Sequence, residues 1–215
     1  MTTPADAPPT TVVMDLGNVL VRWDPTRVWN TLDPADVAAF LAAVDFRAWN
    51  HAMDAGLTGA EAVARLEATD PAHAAVGRAY VDGFLDTLVG PVPGTRAVVE
   101  ELAAAGVRLL ALTNWSAELF DRAADVLEEV VGLSTFEDVL VSGRERLAKP
   151  DPAVFRLLLD RHGLDPAATA FVDDAPANVE AAAGVGLRAV LFTDAGALRR
   201  ELGRMGLPVA PPVGR

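Results

Sequence analysis

Short apolar runs alternate with amphipathic stretches along most of the chain, and this alternation predicts β-strands separated by α-helices. We predict five buried strands, at residues 11–15, 107–112, 139–141, 170–172 and 188–192. We predict four helices between them, at residues 95–105, 116–128, 151–163 and 176–184. Strands that alternate with helices in this way are typical of an α/β fold, so we expect a doubly wound parallel sheet.

Capping residues set the boundaries of these helices. Thr95 and Ser116 are predicted N-caps, since a hydroxyl can accept a hydrogen bond from a free amide at the start of a helix. Asp151 is a third predicted N-cap, and Pro152 after it suits the first helical turn, where no amide hydrogen bond is lost. Gly163 is expected to end the same helix.

One long stretch interrupts the alternation of strands and helices. Between about Asp24 and Gly90 the pattern contains no convincing strand, only helical periodicity such as that at residues 36–44 and 59–68. The stretch is too long for a simple crossover between two strands, so we predict an inserted helical cap domain over residues 25–90. Such a domain could cover the sheet as a lid. The alternative is a group of additional helices packed on the sheet.

The two ends of the chain differ from the rest in composition. Residues 1–10 are rich in Pro, Thr and Ala and are predicted to form a disordered leader, and residues 208–215 are predicted to form a loose tail. The core domain is therefore predicted to consist of residues 11–24 and 91–207.

Polar side chains follow four of the predicted strands. In an open parallel sheet, ligands bind beside the carboxyl ends of the strands, so side chains at these ends converge even when they are far apart in sequence. Any one of them alone is more common as a helix cap or a turn residue, but a series at successive strand ends indicates a site. The residues are Asp15 at the end of the first strand, Thr113 and Asn114 after the second, Lys149 in the loop after the third, and Asp173 and Asp174 after the fourth.

Carboxylates, a hydroxyl and an ammonium group would meet at this edge of the sheet. Asp15, Asp173 and Asp174 would repel one another strongly unless a cation lay among them, and oxygen ligands of this kind suit magnesium. Lys149 and Thr113 would then hold an anion that bridges to the metal. A carboxylate, a magnesium ion and a site for a phosphate-sized anion suggest phosphoryl transfer through an aspartyl phosphate.

Composition narrows the possible partners. The 18 Lys and Arg residues against 30 Asp and Glu residues give a formal net charge of −12, which argues against nucleic acid and anionic membranes as partners. The absence of cysteine excludes disulfides and thiolate ligands. The sequence contains no apolar segment long enough for a transmembrane helix and no signal-peptide pattern, so we expect a cytoplasmic protein.

Four segments resemble the four sequence motifs of the haloacid dehalogenase (HAD) superfamily. They are VVMDLGNVLV at 12–21, LTN at 112–114, KPDPAVF at 149–155 and FVDD at 171–174. The insertion resembles the helical cap that one HAD subgroup carries after its first strand. The DLGNV version of the first motif most resembles bacterial sugar-phosphate phosphatases, and residues 51–62 resemble a cap segment common among them.

The resemblance implies a magnesium-dependent hydrolase whose partner is a small phosphorylated metabolite. It makes Asp15 the nucleophile and a metal ligand, and it makes the backbone carbonyl of Gly17 a second metal ligand. The remaining roles follow by position: Thr113, Lys149 and the amide of Asn114 hold the phosphoryl group, and Asp173 and Asp174 complete the magnesium site, with Asp174 as the direct ligand.

Tryptophan side chains are expected between the insertion and the core. Trp23, Trp49 and Trp115 are predicted to line a cavity there. Aromatic residues more often fill a core, so Trp115, directly after the second strand, is the one expected to contact the substrate.

The sequence departs from the HAD pattern at two places. Active phosphatases of the superfamily usually carry a second Asp two residues after the nucleophile, as general acid and base, and this chain has Gly17 there. His51 and Asp54 of the insertion could supply the missing proton donor. Arg144 and Arg146 stand where Glu and Gly are usual before the Lys, and we interpret them as loop variation or as added positive charge near the anion site.

Two alternatives to a phosphatase stay open. Gly17 is compatible with a phosphate-binding protein on a hydrolase scaffold that has little or no catalytic activity. A true haloacid dehalogenase is the other alternative. By resemblance those enzymes lack the paired Asp of the fourth motif, so Asp173 and Asp174 argue against it.

Overall fold

A computed structural model describes residues 7–211 of the chain. Within this range the strands are β1 (Thr11–Met14), β2 (Val21–Trp23), β3 (Leu88–Pro91), β4 (Arg108–Thr113), β5 (Asp138–Val141), β6 (Thr169–Asp173) and β7 (Arg188–Leu191). The α-helices are α1 (Pro34–Ala43), α2 (Phe46–Asp54), α3 (Gly59–Thr69), α4 (Ala74–Asp82), α5 (Thr95–Ala104), α6 (Ala117–Val131), α7 (Ser142–Glu145), α8 (Pro152–His162), α9 (Pro176–Gly184) and α10 (Ala195–Arg204). Among these described helices, none has the length and apolar character needed to cross a membrane.

The central sheet consists of parallel strands in the order β5-β4-β1-β6-β7. β1 lies in the middle, and Met14 pairs with Ala111 of β4 on one side and with Val172 of β6 on the other. Every residue of β1 is buried, as expected for a strand covered on both faces. The predicted doubly wound parallel sheet is therefore confirmed.

Helices cover both faces of this sheet because successive strand residues point to opposite sides. On one face Val13 and its neighbours in β4 and β6 pack against α8 and α9. On the other face Val12 and Met14 belong to a larger core that includes α5, α6 and α10 and continues into the helical insertion. The insertion is thus joined to one face of the sheet by a continuous apolar core.

Helix ends follow the predicted capping residues only in part. Asp151 caps α8, its carboxylate accepting from a backbone amide at 2.8 Å, and Gly163 ends the helix with a φ of 60°. Thr95 is not the N-cap of α5. Gly94 takes that position with a φ of 82°, and the Thr95 hydroxyl donates instead to a carbonyl three residues earlier. Ser116 is the N-cap of α6, but its hydroxyl makes no capping hydrogen bond.

The insertion between β2 and β3 contains α1–α4 and two short 3-10 helices, at Pro25–Trp29 and Phe84–Thr87. Helices α1 and α3 match the predicted helical patterns, whereas α2 and α4 were not predicted. Short helices gain most of their stability from tertiary packing, so their own sequence signals them poorly. Aromatic side chains supply that packing here, in a cluster of Trp29, Phe40, Phe46, Trp49 and Tyr80.

The prediction that no strand lies between Asp24 and Gly90 is wrong at its C-terminal end. β3 pairs antiparallel with β2, and this ribbon joins the insertion to the core. Arg22 also donates from its side chain to the carbonyl of Val89, 67 positions away. Hydrogen bonds over such a separation leave no local periodicity, which is why the pattern did not reveal the ribbon.

Residues near both described ends of the chain are hydrogen-bonded to the core. Arg188 donates to the carbonyl of Ala7 at 2.7 Å, and Glu101 accepts from the amide of Ala210 at 2.8 Å. The rest of the predicted leader and tail, residues 1–6 and 212–215, lies outside the described residues.

Candidate active site

Three adjacent strands end at polar residues that the sequence predicts to converge. Asp15 follows β1, Thr113 is the last residue of β4, and Asp173 is the last residue of β6. Strands β4 and β6 flank β1, so the three side chains start from one edge of the sheet. The amide of Asp15 donates to the carbonyl of Val172 at 2.9 Å, which extends the β1–β6 ladder to the site itself.

A buried lysine connects two of these carboxylates. The Nζ atom of Lys149 lies 3.0 Å from Oδ1 of Asp15 and 2.7 Å from Oδ2 of Asp173, and it donates to the carbonyl of Leu112 at 2.8 Å. Burial opposes the charge of Lys149, but the two carboxylates outweigh burial and raise its pKa above the ordinary value. Lys149 is therefore a permanent cation at the end of β1.

Hydrogen bonds orient the groups around this lysine. The Asn114 side chain accepts from the amide of Lys149 at 2.8 Å and donates to its carbonyl at 2.7 Å. Oδ1 of Asp173 accepts from the amide of Ala175 and from the side chain of Asn178, both at 2.9 Å. Both oxygens of Asp173 are thus engaged, one by Lys149 and one by these two donors.

The carboxylates at this edge form a cluster whose chemistry fits a divalent cation. Oxygens of Asp15, Asp173 and Asp174 all lie within 4.8 Å of one another. The Lys149 ammonium offsets only one of the three negative charges. Burial raises the pKa of Asp15 to about 7 against the effect of Lys149, and burial together with Asp173 raises the pKa of Asp174. Oxygen donors with excess negative charge suit magnesium, so these residues could hold it.

A cavity of about 200 Å³ lies between the site and the helical insertion. From the core it is lined by Asp15, Gly17, Asn114, Trp115 and Asp174, among others, and from the insertion and its ribbon by Trp23, Asn50, Asp54, Tyr80 and Phe84. Within residues 7–211, no lysine, arginine or histidine lines it. Pockets for drug-sized ligands span roughly 300–1,000 Å³, so this cavity suits a smaller, uncharged or cationic group beside the bound anion.

The insertion contributes a carboxyl to this cavity. Tyr80 donates from its hydroxyl to Oδ1 of Asn50 at 2.7 Å, and Nδ2 of Asn50 donates to Oδ2 of Asp54 at 3.2 Å. The backbone carbonyl of Asp54 accepts from the hydroxyl of Ser142 at 2.6 Å. Burial raises the pKa of Asp54 to about 7, although the Lys149 ammonium opposes this.

Some residues predicted from the sequence do not reach the cavity. Thr113 is buried at the end of β4 and does not line it. The prediction that Trp49 lines the cavity is wrong, because its indole N–H donates to the carbonyl of Ala62 inside the insertion. His51 is exposed on α2 and does not line the cavity either.

The segment before Lys149 is the short helix α7 where the sequence indicated a polar loop. Arg144 pairs with Asp121 at the surface and lies over the ring of Phe120, 5.2 Å from its centroid. Arg146 ends α7 with a φ of 56°. Neither arginine lines the cavity, so neither places positive charge there.

Asn50, Tyr80 and Ser142 are among the residues around the site that sequence reasoning missed. Asn50 precedes Asp54 by four residues, so the helical period places both on one face of α2, and this spacing was an available signal. Tyr80 and Ser142 gave no such signal. Their proximity to Asp54 depends on how α4 and α7 pack against α2.

Burying charged carboxylates and a lysine lowers the stability of the folded protein. Such unfavourable burial is common at functional sites, and here it lies at the open end of a parallel sheet. The fold and the site together define the class as an α/β enzyme with a helical insertion over its sheet. The chain belongs to the haloacid dehalogenase-like hydrolase family, whose model matches residues 9–186.

Relatives and solved structures agree with this family. The chain is 32% identical to a phosphoglycolate phosphatase of Rhodospirillum rubrum, over 86% of this chain and 80% of the relative. It is 28% identical to a flavin mononucleotide hydrolase of Arabidopsis thaliana, over 63% of this chain but only 49% of that protein. A HAD family enzyme of Bacteroides thetaiotaomicron, solved as a magnesium complex, shares the fold with a TM-score of 0.69 at 19% identity, over 86% and 93% of the two chains.

Proposed function

We propose that this protein is a magnesium-dependent phosphatase of small phosphate monoesters, such as sugar phosphates, and that it acts through an aspartyl phosphate on Asp15. One observation carries the proposal. The carboxylate of Asp15 lies 3.0 Å from the Lys149 ammonium, within a carboxylate cluster, and lines the cavity. A phosphate ester in that cavity would meet a nucleophile that lies directly beside a buried, fixed positive charge.

In this mechanism the Asp15 carboxylate attacks phosphorus and the bond to the alcohol oxygen breaks. Lys149 already donates to the carbonyl of Leu112 and to Asp173, and its third contact is with Asp15. That third N–H can turn to a phosphoryl oxygen as Asp15 loses its negative charge. Water then hydrolyses the aspartyl phosphate and releases inorganic phosphate.

Further groups are proposed to hold the phosphoryl oxygens. Asn114 lines the cavity, and its amide is proposed to donate to a phosphoryl oxygen. Thr113, to which the resemblance gives the same role, is buried one residue earlier and does not line the cavity. Trp115 lines the cavity next to them and would contact the leaving group. Fixed donors of this kind stabilise charge without reorganising during the reaction.

The carboxylates of Asp15, Asp173 and Asp174 and the backbone carbonyl of Gly17 would hold the magnesium ion. When bound, magnesium offsets the repulsion between the Asp15 carboxylate and the phosphoryl oxygens. Asp174 is the better placed direct ligand, because both oxygens of Asp173 already accept hydrogen bonds.

The cavity supports a small leaving group without a carboxylate. Phosphoglycolate, named for the Rhodospirillum relative, would bring a second anion into a cavity whose described lining contains Asp54 and no cation. A polyol or sugar would instead find the Asn50 amide and the Tyr80 hydroxyl.

A second candidate function is phosphate binding with little or no turnover. Gly17 is the observation that favours it, because the cavity wall has no carboxyl at the position where related phosphatases carry their acid and base. The two functions share the anion and magnesium sites. They differ in whether phosphate is released.

The test is phosphate release from 4-nitrophenyl phosphate by the wild type and by Asp15→Asn. The wild type should release phosphate with magnesium, stop in excess EDTA and recover when magnesium is restored. Asp15→Asn should be inactive although folded, because an amide is nearly isosteric but a poor nucleophile. Asp36→Asn, at an exposed position outside the cavity, is the matched control and should keep wild-type activity.

Either of two results would contradict the phosphatase: full activity of the wild type in excess EDTA, or substantial activity of Asp15→Asn. A wild type that binds inorganic phosphate with magnesium but releases none from any ester would instead identify the phosphate-binding function.

A further inference from the structure

The proposed phosphatase lacks a proton donor on the sheet side of its cavity. Gly17 lies there and carries no side chain, and Asp174 is assigned to the metal. When the bond to phosphorus breaks, an alcohol leaves as an alkoxide unless a proton reaches its oxygen. General acid catalysis at such a step typically contributes about 10²–10⁴-fold in rate.

The insertion side of the same cavity offers a group that could fill this gap. We propose that Asp54 is the catalytic acid and base of this protein, supplied by α2 of the insertion in place of a residue at position 17. The inference rests on the proposed phosphatase function. It rests structurally on a shared cavity, since Asp54, Asp15 and Gly17 all line it.

Other polar groups around the cavity are less suited to donate a proton. The Tyr80 hydroxyl already donates to Asn50, and burial followed by the charge of Asp54 raises the pKa of Tyr80 above its ordinary value. Asn50 has no proton to lose at neutral pH. His51, the other residue considered from the sequence, is exposed three residues earlier on α2 and does not line the cavity.

Asp54 is held in place by contacts with the core and with its own helix. It is the last residue of α2, and its carbonyl accepts from the Ser142 hydroxyl at 2.6 Å. The same hydroxyl accepts from the amide of Trp115 at 2.9 Å, next to Asn114. The end of α2 is therefore tied to the segment that borders the proposed phosphoryl site. The Asn50 side chain orients the carboxyl by donating to Oδ2.

The charges around Asp54 agree with this role. Burial raises its pKa to about 7, the Lys149 ammonium lowers it, and Asp15 raises it. A carboxyl near half-protonation at neutral pH can both give and take a proton, which is what an acid that later acts as a base requires.

The proton balance closes over the two half-reactions. In the first, Asp15 forms a bond to phosphorus, the bond to the alcohol oxygen breaks, and that oxygen takes the proton of Asp54. In the second, the oxygen of a water molecule forms a bond to phosphorus while the Asp54 carboxylate takes a proton from that water, and the bond between Asp15 and phosphorus breaks. Inorganic phosphate leaves, and both aspartates return to their starting states.

The experiment compares leaving groups of different basicity. We would measure kcat/KM for a series of aryl phosphates and for glycerol phosphate, with the wild type, Asp54→Asn and the exposed control Asp36→Asn. Asp54→Asn should lower kcat/KM for glycerol phosphate by about 10²–10⁴-fold and leave 4-nitrophenyl phosphate within a few-fold of wild type. Across the aryl series, the dependence of rate on leaving-group pKa should become steeper in Asp54→Asn.

Gly17→Asp provides a rescue in the Asp54→Asn background. A Cβ at Gly17 would meet no atom within 4 Å and its φ is not in the left-handed region, so neither the backbone nor a contact at Cβ opposes the substitution. The double variant should recover hydrolysis of glycerol phosphate. A purely structural role for Asp54 would not be restored by a carboxyl on the opposite wall.

The outcomes separate the two levels of the proposal. The role of Asp54 would be overturned if Asp54→Asn lowered kcat/KM equally for glycerol phosphate and 4-nitrophenyl phosphate, or did not lower it for glycerol phosphate. Neither result would contradict the phosphatase function. A wild type that hydrolyses no ester with magnesium present would overturn the phosphatase and the role of Asp54 with it.

Discussion

Asp15, Asp54 and Asp174 line the same cavity, and each has a pKa above its ordinary value with burial as the largest cause. Asp15 and Asp174 also belong to the carboxylate cluster, where neighbouring negative charge adds to the effect. Asp54 stands apart from the cluster on the insertion. Its effect on stability can therefore be tested separately.

The first consequence is a dependence of stability on pH in the metal-free protein. The pKa of Asp54 rises from 3.8 to about 7, so between these pH values the folded protein keeps a proton that the unfolded chain releases. The free energy of unfolding contributed by this residue then falls as pH rises from about 4 to about 7. Asp54→Asn lacks this dependence, so it should match the wild type at pH 4 and be more stable at pH 8.

Urea unfolding in EDTA at pH 4 to 8 measures this difference directly. Asp15 and Asp174 are present in both proteins, so the difference reports Asp54 together with its coupling to Asp15. Asp36→Asn should follow the wild type at every pH, since that carboxyl is exposed. A stability difference between wild type and Asp54→Asn that stays constant with pH would show that burial does not perturb Asp54.

At the scale of elements, α7 packs unusually close to the start of α6. A Cβ on Gly143 would lie 2.5 Å from the amide nitrogen of Ala117 and 2.7 Å from the carbonyl oxygen of Trp115. The amide of Gly143 also donates to that carbonyl at 3.0 Å. Glycine is thus required where these two helices meet, beside the segment that leads to Asn114.

Gly143→Ala should therefore separate α7 from α6 and displace Trp115. Overpacking of this kind costs about 1–3 kcal/mol of stability, and we expect kcat/KM to fall as well. Gly203→Ala is the matched control, because that glycine is exposed in α10 with no atom within 4 Å of a built Cβ. It should stabilise the protein by about 0.4–1 kcal/mol. If Gly143→Ala and Gly203→Ala changed the stability in the same direction, the close contact between α7 and the start of α6 would be contradicted.

At the scale of the whole molecule, the insertion rests on the core through polar contacts around the cavity. Ser142 donates to the carbonyl of Asp54, Glu118 accepts from the amide of Gly59 at 3.2 Å, and Arg122 donates to the carbonyl of Val81 at 2.7 Å. The β2–β3 ribbon is the covalent connection between the insertion and the core. If the insertion opens as a lid, it must break these polar contacts and separate part of the shared apolar core, while the ribbon keeps it attached.

Hydrogen exchange tests this lid. Beryllium fluoride with magnesium mimics a phosphoryl group on Asp15, and closure should slow amide exchange in α2 and α3 while β1 and β4, already buried, change little. Asp15→Asn removes the attachment point and should show no slowing. Equal exchange with and without the mimic in the wild type would indicate that the insertion does not move as a lid.

Local sequence determined the sheet and its polar edge. Apolar runs bounded by Gly, Pro and Asp predicted β1 and β4–β7, because a strand buried on both faces must be apolar along its length. Because helices connect the parallel strands, the carboxyl ends of all strands lie on one side of the sheet. Asp15, Lys149 and Asp173 could therefore be expected to lie close together before any distance was known. Their contacts at 2.7 and 3.0 Å agree with that expectation.

Tertiary structure alone decided how the insertion is joined to the core and which of its residues form the far wall of the cavity. The β2–β3 ribbon pairs distant segments, and α2 and α4 depend on an aromatic cluster assembled from the whole insertion. His51 and Asp54 lie three residues apart on one helix, and only the docking of α2 against Ser142 places Asp54 at the cavity. Periodicity reports which face of a helix is buried, whereas the partner of that face is set by contacts between residues far apart in the chain.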